Sequence, residues 1–178
     1  LLTHREASIS PMFIPPEYEH LNLKVIRTGD TRPWTWALAR NRGARAAQGE
    51  WLVMFDIDHI ITAELLDVVR NYHGDNVGFT RQFGVITEKG DFTQDIDTLV
   101  TYGLPMERIK NKGLAFPALP NNFAMKRWVF LDIGGYREDL IGNPYPQGED
   151  RTFKKAWCNW ERENKGIYYE GRPIIYMF

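Results

Sequence analysis

Two carboxylates one residue apart, Asp56 and Asp58, stand at the end of the apolar run Trp51-Leu-Val-Met-Phe55. Like charges at the end of a core strand repel one another and lose hydration, so they call for compensation. A divalent cation is the usual form, and hard ions such as Mg²⁺ or Mn²⁺ prefer oxygen ligands. The bland alternative is that Asp56 caps a helix beginning near Thr62 while Asp58 is a turn residue. A second acidic pair, Glu149-Asp150, follows Gly148 at the start of a helical stretch, where Asp150 could be the N-cap.

The elements around these residues predict an α/β arrangement. Trp51 to Phe55 has the length of a buried strand, and ligands in open α/β sheets collect at the carboxyl ends of strands. Leu23 to Arg27 reads as a short strand ended by Thr28-Gly29-Asp30, and Trp36 to Gln48 as a helix stopped by Gly49. That helix has a face of alanines and Leu38 opposite Arg40, Arg42 and Arg45. Gly43 in its middle suggests a close approach of another backbone. Strand, helix, strand is the βαβ pattern of a parallel sheet. Further on, a helix is expected at Ala63–Tyr72 and a strand from Val77 to Thr87, with a turn at Glu88–Asp91. Residues 91–120 read as loops with one short helix. Asn122–Met125 reads as a strand edge, and Arg127–Ile133 as a helix stopped by Gly134-Gly135. A last helix runs from Asp150 to about Asn164, and strand-like residues occupy Tyr168–Tyr176.

A chain of 178 residues suits one domain, taken as residues 1–178. The net charge of -1 argues against nucleic acid as the main partner. No apolar run approaches the roughly 18 residues of a membrane span. The single Cys158 excludes an internal disulfide framework, and its Trp-Cys-Asn-Trp setting suggests packing. With no visible signal peptide, a cytoplasmic location is the expectation. Trp34 and Trp36, in a polar segment, are open to stacking on a ligand or to ordinary packing.

Four motifs occur in order: Ala39-Arg-Asn-Arg-Gly-Ala44, Gly49-Glu-Trp-Leu-Val-Met-Phe-Asp-Ile-Asp58, Gly134-Gly-Tyr136 with Glu138-Asp139, and Gly148-Glu-Asp150. Together they resemble the family 2 glycosyltransferases of GT-A fold, a Rossmann-like, mostly parallel sheet flanked by helices. The resemblance implies a metal-dependent, inverting glycosyltransferase, moving sugar from a UDP- or GDP-linked donor to a hydroxyl of a glycan, lipid or protein glycoside. It places Asp56 and Asp58 at Mn²⁺ or Mg²⁺ and the donor, with Asp58 the more direct ligand. It places Arg40 and Asn41 beside the nucleotide, where an arginine could pair with phosphate. Asp150 would be the general base and Glu149 an acceptor contact or loop-orienting residue. Gly134, Gly135 and Tyr136 would form a structural turn beneath the acceptor.

Two features depart from that pattern. Residues 1–23 are too few and too Pro-rich for the family's first strand, helix and second strand, so the expectation is a fragment of a larger domain, an N-terminally abbreviated nucleotide half, or the fold without the activity. All four histidines, His4, His20, His59 and His73, lie before residue 74, leaving no late histidine for a metal, and His59 reads as a surface residue. Two other functions compete with the transferase: a non-catalytic carbohydrate- or partner-binding module on the same core, and a nucleotidyltransferase. The latter would bring a Gly-rich, basic phosphate loop near its first strand, and none is present.

Overall fold

A computed structural model describes residues 16, 20–32, 35–56, 59–107, 115–116, 122–141, 148–164 and 174–177. In chain order the helices are α1 (Trp36–Ala46), α2 (Ala63–Asn71), α3 (Ile96–Thr101), α4 (Arg127–Ile133) and α5 (Glu149–Asn164). The strands are β1 (Trp51–Met54), β2 (His59–Ile60), β3 (Asn76–Gly78), β4 (Thr80–Phe83), β5 (Val85–Ile86), β6 (Phe92–Thr93), β7 (Ala115–Phe116), β8 (Phe123–Lys126) and β9 (Ile174–Met177). The chain divides into two compact units, one drawn from residues 1–50 and 127–159, the other from 51–126 and 160–178.

In the second unit, β8 lies between β1 and β3 and runs antiparallel to both, pairing Leu52 with Met125 and Val77 with Ala124. β1 and β3 therefore point the same way, as a β1–α2–β3 crossover requires, but their hydrogen bonds go to β8. That insertion corrects the expectation of a mostly parallel sheet: among the described residues only β4 and β9 pair in parallel. It also makes Phe123–Lys126 a central strand rather than an edge. Leu65 and Val69 of α2 bury against Val77, Phe79 and Ala124, with Trp51, Val53, Ile61 and Tyr72 at the margin. The α2 N-cap is Thr62, whose hydroxyl accepts the Leu65 amide at 3.3 Å. Asp56 is thus not the cap of that helix.

The stretch expected as one strand from Val77 to Thr87 is three, each in a different sheet. Its pattern does not alternate cleanly: Val77, Gly78 and Phe79 are all buried, as are Phe83, Gly84 and Val85. The Phe83 carbonyl, next to the break at Gly84, accepts from the Gln94 amide at 2.8 Å instead. β5 and β6 form a hairpin over the turn at Glu88–Asp91, with Gly90 at φ 86°. Phe83 and Val85 pack on Leu99 of α3, which Asp95 caps.

The first unit is built on α1 and α4. α1 buries Ala37, Leu38, Ala39, Asn41 and Ala44. It ends at Ala46, three residues before Gly49, because Ala47 is already extended. Arg127 of α4 finishes it, donating to the carbonyls of Ala44 and Arg45 at 3.1 Å each. Gly134 and Gly135 stop α4 in left-handed backbone, φ 92° and 67°. Phe130, Tyr136, Phe153 and Trp157 form a run of aromatic contacts, closest at 4.3 Å between the stacked rings of Tyr136 and Phe153.

Three expectations fail here for physical reasons. Leu23–Arg27 is not a strand: no neighbouring strand pairs with it among the described residues, and Leu21, Leu23 and Val25 are exposed. Cys158 is exposed, since the inward face of α5 is taken by Phe153, Trp157 and Trp160. Gly43 has no atom of a described residue within 4 Å of where a Cβ would sit, so no close approach requires it. Gly43→Ala should therefore stabilise the protein by about 0.5–1 kcal/mol, its intrinsic helix gain. Urea denaturation of the two proteins measures this, and a loss of stability would mean that the site is crowded after all.

Candidate active site

α1 starts without a cap of its own. Thr35 makes no side-chain capping bond, and the first turn carries no acidic residue. The leading N–H groups of a helix need acceptors, and its positive end favours an anion. Glu149, in the first turn of α5, supplies both by accepting a hydrogen bond from the Ala37 amide. It is 3% exposed, and its Oε1 has no hydrogen-bond partner among the described residues. Burial, and then the charge of Asp150, raise its pKa above the ordinary carboxylate value; Arg40 and the Ala37 amide oppose them. Glu149 is thus turned inward onto α1, an arrangement in keeping with an orienting role.

One residue on, Asp150 is less buried, although its Oδ1 is covered and also meets α1. It lies inside the first turn of α5, not at the N-cap, and its side chain is 37% exposed. Arg40, one turn beyond Ala37 on α1, brings Nη1 to 3.7 Å from Asp150 Oδ1 while remaining only 13% exposed. It is no solvated helix face: its guanidinium carbon lies 5.3 Å from the Tyr136 ring centroid.

Asn41 is buried, and its whole amide is engaged. Oδ1 accepts the Tyr136 N–H at 2.9 Å, while Nδ2 donates to the Tyr136 carbonyl and to Glu138 Oε1, both at 2.8 Å. Gly135 permits this approach, since a Cβ there would stand 2.5 Å from Asn41 Oδ1. The Asn41 amide, and then Arg45, hold the Glu138 carboxyl below its usual pKa. Both polar atoms of the Asn41 side chain are thus engaged by the protein's own turn. Beside that turn is an open cleft of about 380 Å³, lined by Gly134, Gly135, Tyr136, Arg137, Thr152 and Phe153 among others.

Asp56 belongs to the second unit. It is half-buried just past the end of β1, and its carbonyl lies 3.3 Å from His59 Nδ1. His59, which pairs with Met177 where β2 meets β9, is 9% exposed, which corrects its reading as a surface residue. Asp58 and Trp34 lie outside the described residues. No three His, Cys, Asp or Glu side chains converge on a metal position among the described residues. Mg²⁺-type ions are commonly held by one or two carboxylates with substrate phosphates supplying the rest, so Asp56 suits such a site in its chemistry.

The residues that sequence reasoning missed are those acting across α1 and α5: the Ala37 amide as Glu149's partner, and Tyr136 as the platform for Arg40. One signal existed, since a helix opening Thr35-Trp-Ala-Leu38 without an acid in its first turn must find an acceptor elsewhere.

Asn41→Ala should cost about 3 kcal/mol, because it removes three bonds and leaves the buried Tyr136 backbone unmet; chemical denaturation checks this. Glu149 carries a pH signature. Its folded pKa lies above the ordinary 4.5, so the native state holds this proton more tightly than the unfolded chain. The resulting stabilisation is full below 4.5 and is lost as pH rises through the folded value. Glu149→Gln keeps an acceptor for Ala37, so its melting temperature relative to wild type should climb across that window. A pH-independent difference would contradict the assignment.

The model of the Glycosyl transferase family 2 matches residues 16–133, which is 118 of the 178 residues. The matched region contains Arg40, Asn41, Asp56 and Asp58 and ends before Glu149 and Asp150. No curated protein gives a significant match to the chain. The match implies a GT-A-type α/β fold and supports glycosyltransferase activity with a nucleotide-sugar donor and an acceptor. No helix among the described residues is long and apolar enough to cross a membrane. With two-thirds of its length matched, the chain belongs to Glycosyl transferase family 2.

Proposed function

We propose that the chain is a metal-dependent, inverting glycosyltransferase domain, which moves a sugar from a UDP- or GDP-linked donor to a hydroxyl acceptor such as a glycan. The observation that carries this reading is Asp150: a half-exposed carboxylate at the start of a helix, whose Oδ1 is buried next to a mostly buried cation. Asp150 accepts the proton of the acceptor hydroxyl as that oxygen attacks the anomeric carbon. The bond from that carbon to the donor's diphosphate breaks, the electron pair leaves with the phosphate oxygen, and the anomeric configuration inverts. The cleft beside the Gly134–Tyr136 turn, whose lining includes Thr152 two residues after Asp150 on α5, receives the acceptor. Asp56 and Asp58 are the residues that would hold Mn²⁺ or Mg²⁺. When bound, that ion neutralises charge on the leaving diphosphate. Asn41 serves the site by fixing the turn.

Calorimetric titration with UDP and with GDP, in Mn²⁺ and again in EDTA, tests the donor half. Binding that requires the metal and disappears in Asp58→Ala is the expected result. Asp150→Ala should still bind nucleotide yet lose turnover by about 10²–10⁴-fold, the usual worth of a general base. Absence of nucleotide binding under every condition would leave the chain as a binding module on a transferase core.

A further inference from the structure

We propose that Arg40 is a positioning residue for Asp150, held by a closed ring of contacts that returns to the helix carrying the base. The inference rests on the reading of Asp150 as that base. The ring starts at Asp150, whose Oδ1 lies 3.7 Å from Arg40 Nη1. From Arg40 it passes to Tyr136, 5.3 Å below the guanidinium. From Tyr136 it passes to Phe153, stacked at 4.3 Å with the rings 21° apart. Phe153 sits on α5 three residues after Asp150, so the circuit closes on its own helix. Two anchors keep it from sliding: Asn41 holds the Tyr136 backbone by its N–H and its carbonyl, and Glu149 ties the start of α5 to the Ala37 amide.

A general base must be anionic while it waits for its proton, and it must point one way. Asp150 has Glu149 beside it in the chain, and two adjacent carboxyl groups resist double ionisation. Arg40 faces Asp150 from α1, and Lys154 lies one turn further along α5. Arg40 is in ion-pair contact with Asp150, and a guanidinium keeps its charge at any ordinary pH. A planar cation over an aromatic ring also has a restricted orientation, which a lysine ammonium in the same place lacks. Arg40 therefore orients Asp150 and keeps it charged. This differs in kind from pairing with the donor's phosphates, which would make Arg40 a determinant of nucleotide affinity.

The test follows the Asp150 carboxyl directly. The full chain is labelled with ¹³C-aspartate, the Asp150 signal is assigned by its loss in Asp150→Asn, and its midpoint is read against pH. In Arg40→Gln the midpoint should rise by about 1 unit, the effect of removing a cation at this distance. Arg40→Lys should restore part of the shift. Arg40→Met, which keeps the stem over Tyr136 without the charge, takes the place of Arg40→Gln should that variant not fold. In parallel, UDP affinity in Mn²⁺ should change by less than about threefold, well short of the tenfold that about 1.4 kcal/mol would give. An unmoved Asp150 midpoint overturns the proposal, and so does a tenfold or greater loss of UDP affinity. If wild type binds neither UDP nor GDP, the transferase reading fails, while the titration still decides whether Arg40 governs Asp150.

Discussion

The carboxamide of Asn41 is buried with every polar atom engaged, and much of the first unit depends on how that requirement is met. A buried amide without partners would cost several kcal/mol, so the surrounding chain must come to it. It comes as the backbone of Tyr136, admitted by a glycine at 135 where any Cβ would collide. Once Tyr136 is fixed, its ring has one face for Phe153 of α5, and the ring also lies beneath the Arg40 guanidinium. The acidic start of α5 then falls against the start of α1. A polar group in the core here gives register more than raw stability, because apolar packing alone would tolerate Tyr136 in several places.

Legibility in the sequence followed the range of the interaction. Helices α1, α2 and α4 were readable from apolar spacing and from stops such as Gly134-Gly135, all of which act within a turn or two. The hairpin turn at Glu88–Asp91 was readable for the same reason. The sheet was not, since nothing local says that residues 123–126 enter between β1 and β3. A run of buried residues also looks the same whether it stays in one sheet or changes sheets, which is how the stretch from Val77 came to be read as a single strand.

The site was legible as residue types and less so as roles. Asp150 stood out, and its exposure fits the part proposed for it. Glu149 looked like a second working carboxylate, and only its burial and its bond to Ala37 reveal an inward-facing group. Arg40 and Asn41 are adjacent on one helix, yet one reaches a surface carboxylate and the other disappears into a turn, a difference set by about 100° of rotation per residue. Sequence alone places both near the site and cannot assign either.

The bond between Glu149 and Ala37 ties the fraying of one helix to the docking of another. Helix ends open locally at little cost, and their first amides are ordinarily among the earliest to exchange with solvent. At the start of α1 that amide is held by a side chain from a distant part of the sequence, so fraying there also breaks a contact to the first turn of α5. Opening of either helix start therefore costs the same bond, which the segment carrying the proposed base shares with α1's first turn.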